Sequence, residues 1–138
     1  MSIQSIETAL LDKLADLALP IATVHEGEGF DPSNDTPYLR VEFVPTETPL
    51  VGQEAGVNAP IREQGLLQLT PLYPVTQGPG PLKQMVETLM AAFKWRQTVP
   101  ADGFVVRIDR CSRGQLVSDA EWNSLPVIVR WSAHRPGD

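Results

Sequence analysis

The sequence predicts an α/β fold of the α+β kind: a mixed, mainly antiparallel sheet with two helices packed on one face, in the order α-β-β-β-α-β-β. Three observations carry this. Two stretches repeat apolar residues at spacings of three and four, the mark of an amphipathic helix. Several other runs alternate apolar and polar residues, the mark of a half-buried strand. The strand-like runs follow one another through short or polar links, which favours antiparallel pairing, and helices layered on one sheet face are the simplest way to bury both kinds of apolar surface.

The first element spans residues 2–19. Ile3, Ile6, Leu10, Leu14 and Leu17 form one stripe. Ser2 or Ser5 is placed to cap its start, and Pro20 ends it. A short β-like run, residues 21–25, leads into a loop rich in Gly, Asp, Ser, Asn and Pro over residues 27–37. Residues 38–44 then alternate, with Leu39, Val41 and Phe43 on one side and Arg40 and Glu42 on the other.

A long strand fits residues 61–73, and PVTQGPGP breaks it. The second helix, residues 81–94, carries the strongest pattern: Leu82, Met85, Val86, Leu89, Met90 and Phe93. Pro81 suits its first turn, where a missing N–H costs nothing. Residues 104–110 alternate again, residues 115–117 continue the pairing after a turn, and LPVIVRWSA closes the sheet over residues 125–133. The last five residues, 134–138, read as a frayed tail.

At 138 residues and 42% hydrophobic, the chain is the size of one domain and buries a core without staples. Its single cysteine, Cys111, excludes an internal disulfide. No stretch approaches the ~20 apolar residues of a membrane span, and the N-terminal stretch has acids where a signal peptide has a basic head. The chain reads as soluble and cytosolic. Net charge is −6 with scattered cations, which argues against free binding to DNA or RNA, where clustered cations displace counterions. The same acidity suits a wall past which DNA slides without sticking.

Chemistry is hard to find. His25 and His134 have no ligand-like spacing, and a metal site needs three or four converging donors. Cys111 has no base or oxyanion site signalled nearby. The pairs Asp119 with Glu121 and Asp31 with Asp35 sit in turn-forming sequence, where carboxylates cap or face solvent. No phosphate-cradling glycine motif is present. The sequence therefore indicates no catalytic residue, no cofactor and no metal.

The outstanding feature is the polar connection from Thr46 to Gln64. Uninterrupted links beyond about 12–15 residues are uncommon in compact domains and are often functional or disordered. We expect a flexible arm that orders against a neighbour or partner.

The run PYLRVEFVP after an N-terminal amphipathic helix, the strand LTPLYPVTQGPGP, the helix LKQMVETLMAAFK and the closing SDAEWNSLPVIVRWSA resemble, in pattern and order, the tail-terminator-like proteins of long-tailed phages and prophages. The resemblance covers about residues 2–133 and includes no catalytic motif. It implies a non-enzymatic structural protein, built in the host cytoplasm and carried in the virion tail. It implies a ring, a hexamer, that caps the tail tube, ends its polymerisation and docks the head-side connector. Partners would be copies of itself, the tube protein and the connector, with no specific nucleic-acid or membrane contact. Another head–tail joining protein, or a small ligand-binding α/β domain, remain alternatives. Interface candidates are Arg40 and Glu42, opposite the apolar side of their strand, with Glu47, Glu54, Arg62 and Trp122 on the arm or on turns.

Overall fold

A computed structural model describes residues 3–25, 36–45, 62–101 and 104–134. Helix α1 spans Ile3–Ala15. It stops short of Pro20 because the chain tightens after Ala15: the amides of Leu17 and Ala18 bond three residues back, to Leu14 and Ala15. Strand β1 is Ala22–His25, β2 is Tyr38–Pro45 and β3 is Arg62–Pro74. A single 3-10 turn, Val75–Gln77, leads to helix α2, Gly80–Ala92, with Pro81 in its first turn as expected. Strands β4 (Thr98–Ala101), β5 (Phe104–Arg113), β6 (Val117–Ser118), β7 (Trp122–Ser124) and β8 (Val127–His134) follow.

The main path of the sheet runs β1-β2-β3-β8-β5-β4, with β7 on β3 and β6 on β7. Among the described residues only β1 and β2 pair in parallel, and the other pairings are antiparallel. The mixed, mainly antiparallel α+β architecture is thus the one expected, with β4 and β7 added to it. Pro71 sits inside β3 without breaking it. It lies between the residues that pair with β8, which end at Leu69, and those that pair with β7, which begin at Leu72. Its missing N–H falls where β3 changes partner on that side.

Register puts the large apolar strand residues of the main cluster on one side of the sheet, with Leu72 buried outside that cluster. Leu39 and Val41 of β2, Leu67 and Leu69 of β3, Val127, Val129 and Trp131 of β8, and Val106 and Ile108 of β5 are all buried. Against that side the helices lay their stripes: Ile6, Leu10 and Leu14 from α1, and Leu82, Met85, Val86 and Leu89 from α2, with Phe93 just beyond. All belong to one cluster. Each such side chain contributes about 1.5–3 kcal/mol by leaving water. Lys13 of α1 places its Nζ 5.8 Å from the Phe93 ring, so the two helices meet through a cation over an aromatic face.

Other boundaries also differ from expectation, among them the end of α2 at Ala92 and of β5 at Arg113. Arg62, Glu63 and Gln64 belong to β3, so the polar connection is shorter than Thr46–Gln64; the remainder, 46–61, lies outside the described residues. His134, placed in the tail by the sequence, ends β8, in register with Arg62 and with Val105. Residues 135–138 lie outside the described residues. The closing strand begins at Val127, because Leu125 and Pro126 separate it from β7.

Candidate interaction surface

Among the described residues, no helix lies on the sheet side away from α1 and α2. Period-two alternation places Tyr38, Arg40, Glu42 and Val44 of β2 there, with Gln64, Leu66, Gln68 and Thr70 of β3. Ile128, Arg130 and Ser132 of β8 lie beside them, and Arg107, Arg110 and Ser112 of β5 complete the face. This face is mixed, half-exposed and rich in arginine, whereas the helix side is mostly apolar.

A β-bulge shapes it. The β5–β8 register shifts between Ile108 and Arg110, leaving Asp109 as an extra residue. Strict alternation would have turned Arg110 into the core and Cys111 out. The bulge reverses this: Arg110 is exposed and Cys111 is half-buried against the core. Burial pushes the Cys111 thiol up from its ordinary pKa. The inserted Asp109 carboxylate accepts from Arg107 Nε at 2.9 Å and from the buried Ser132 hydroxyl at 3.1 Å. Arg40 Nε lies 3.4 Å from Glu42 Oε1, two residues along the same strand. Both pairs are substantially exposed and add little stability by themselves.

One end of the face is aromatic. Trp122, opposite Pro74 on β7, meets Tyr38 edge to face, with centroids 5.4 Å apart and rings inclined at 81°. Trp122 was expected exposed on a turn. It is half-buried in a strand, because β7 pairs with the end of β3. The preceding turn is held by Asp119, whose carboxylate accepts the Trp122 N–H at 2.7 Å and the Glu121 N–H at 2.8 Å. These two bonds, that from Trp122 first, hold its pKa below the ordinary carboxylate value.

Of the residues singled out from the sequence, Arg40, Glu42 and Trp122 share this face. Arg62 opens β3, in register with His134 of β8. Glu47 and Glu54 lie outside the described residues. Arg107, Asp109, Arg110 and Arg130 were not singled out. Their alternation was visible, but which cations share a face depends on the bulge and on the β5–β8 register.

Among the described residues no group of three or more His, Cys, Asp and Glu is placed to hold a metal ion. Two open depressions, of about 400 and 600 Å³, lie beside α1 and β4 and share Ala9, Asp12 and Pro100 in their walls. Among the described residues no helix is long and apolar enough to cross a membrane.

Comparison with known proteins agrees with this picture. No curated protein matches the chain. A solved structure of a protein without a descriptive name superposes with a TM-score of 0.82 at 21% identity, over 100% of this chain and 99% of its own; at that identity it shows a shared fold. A family model described as phage tail terminator protein matches residues 5–131, and so nearly the whole of this helix-backed sheet. The chain belongs to the phage tail terminator protein family.

Proposed function

We propose that this protein works as one tail-terminator domain that assembles into a ring, a hexamer, on the end of the phage tail tube. There it stops further addition of tube subunits and offers the head-side connector a docking surface. Family membership gives the coarser statement, a structural role in phage tail assembly. The finer reading is supported most by one observation: the charged and polar side chains of β2, β3, β5 and β8 gather on the sheet face away from the helices. A face of this kind acts by what it touches, as a structural, non-enzymatic protein of the tail would.

The net charge of −6 fits a ring through which DNA passes. Self-association, the tube protein and the connector are the partners proposed. Assembly would take place in the host cytoplasm, before the tail joins the head.

The direct test is location. Labelled protein is mixed with growing tube subunits and with purified connector, and bound label is mapped by electron microscopy. Label at tube ends supports the terminator reading. Label on the connector alone favours a different head–tail joining role.

A further inference from the structure

We propose that the sheet face away from the helices, centred on Arg110 and Arg130, is the seat for carboxylates of a second copy of this chain. The proposal rests on the ring reading above and names the surface that joins neighbours.

Four arginines lie on this face, and two are already served. Arg40 has Glu42, and Arg107 has Asp109. Arg110 and Arg130 have no ion-pair or hydrogen-bond partner among the described residues, and they stand directly opposite each other across β5 and β8. Like charges in directly opposed cross-strand positions destabilise a sheet. The bulge at Asp109 creates this juxtaposition, since it turns Arg110 onto the face that already carries Arg130. A carboxylate placed between two guanidiniums would convert the repulsion into charge-assisted hydrogen bonds. The same row continues through Leu66 to Val44, which is 43% exposed. A partner therefore meets two cations followed by an apolar shelf.

Charge identifies the partner as another copy. The whole chain is −6 even though this face holds four arginines against Glu42 and Asp109, so the rest is more acidic still. Away from this face Asp12 and Asp16 of α1, Glu87 of α2, and Asp119 and Glu121 before β7 are exposed. A cationic patch on one copy meeting an acidic surface elsewhere on the next is a head-to-tail contact, which closes into a ring when the rotation permits. Nucleic acid is the poorer fit: two unserved arginines on an acidic protein displace few counterions.

The full chain is compared with Arg110→Glu/Arg130→Glu and with Arg110→Lys/Arg130→Lys. Melting curves confirm folding of each. Self-association is followed by sedimentation at low and high salt, both free and with tube ends present, and duplex DNA retention is measured on gels. The expected result is wild-type association that weakens at least tenfold in high salt, at least tenfold loss in the glutamate variant, and retention in the lysine variant. A glutamate variant that associates like wild type overturns the proposal. So does a wild type that associates under neither condition, or one whose arginines affect only DNA retention. Association through this face with unchanged tube growth would sink the capping reading and leave this one standing. Capping that survives the glutamate variant with its association intact would sink this one alone.

Discussion

Trp131 crosses over Gly65 to stack on Phe43, with ring centroids 5.3 Å apart and planes within 6° of parallel. Gly65 is the register partner of Trp131 on one side and of Pro45 on the other. A side chain there would occupy the space the indole uses. This is why a glycine stands inside a long strand, where it otherwise weakens the sheet.

Gly65→Ala should therefore be costly. Its Cβ would lie 2.6 Å from Trp131 Cζ2, 2.6 Å from the Val44 carbonyl oxygen and 2.9 Å from Pro45 Cα. Two of these neighbours are backbone and cannot rotate away. Overpacking of this kind costs about 1–3 kcal/mol. Urea unfolding should show a loss in that range; a change below about 0.5 kcal/mol, the usual size of a surface effect, would contradict the packing described.

The Asp119 turn carries an acid dependence. Its folded pKa is depressed, so its contribution is present above the unfolded value, about 3.9, and is lost as pH falls through the folded value. In an NMR titration the amide signals of Glu121 and Trp122 should move with a midpoint below that ordinary value. They should stop moving in Asp119→Ala. A midpoint at or above it would show that the two hydrogen bonds are not made.

Cys111 should be a slow thiol. The bulge turns it toward the core and burial raises its pKa, so less of it is thiolate at neutral pH than in a free cysteine. A disulfide reagent should label it at least tenfold more slowly in the native protein than in denaturant. Equal rates would place it in solvent.

Much of the fold is legible in the residues. The stripes of α1 and α2 repeat every three to four positions, and β2, β3 and β8 alternate, because each packs one side against the core. β4 was missed because Pro100 interrupts it; a proline is tolerated there since β4 pairs only with β5 and ends the sheet. β7 is three residues long, too short to show a period. The surface was half legible. Arg40 and Glu42 follow from alternation within one strand. The Arg110–Arg130 pair does not, because a bulge shifts the period by one and is visible only against the partner strand. Trp122 was found as an aromatic worth noting, but its half-buried seat against Tyr38 depends on a contact distant in sequence.

The proposed role is to end tube growth by capping it. The most direct measurement is the length distribution of tail tubes assembled from purified tube subunits with increasing amounts of the protein, scored by electron microscopy. The account predicts shorter tubes of narrower length, each carrying one cap at its growing end. Tubes that lengthen unchanged at saturating protein, with no density at their ends, would contradict it.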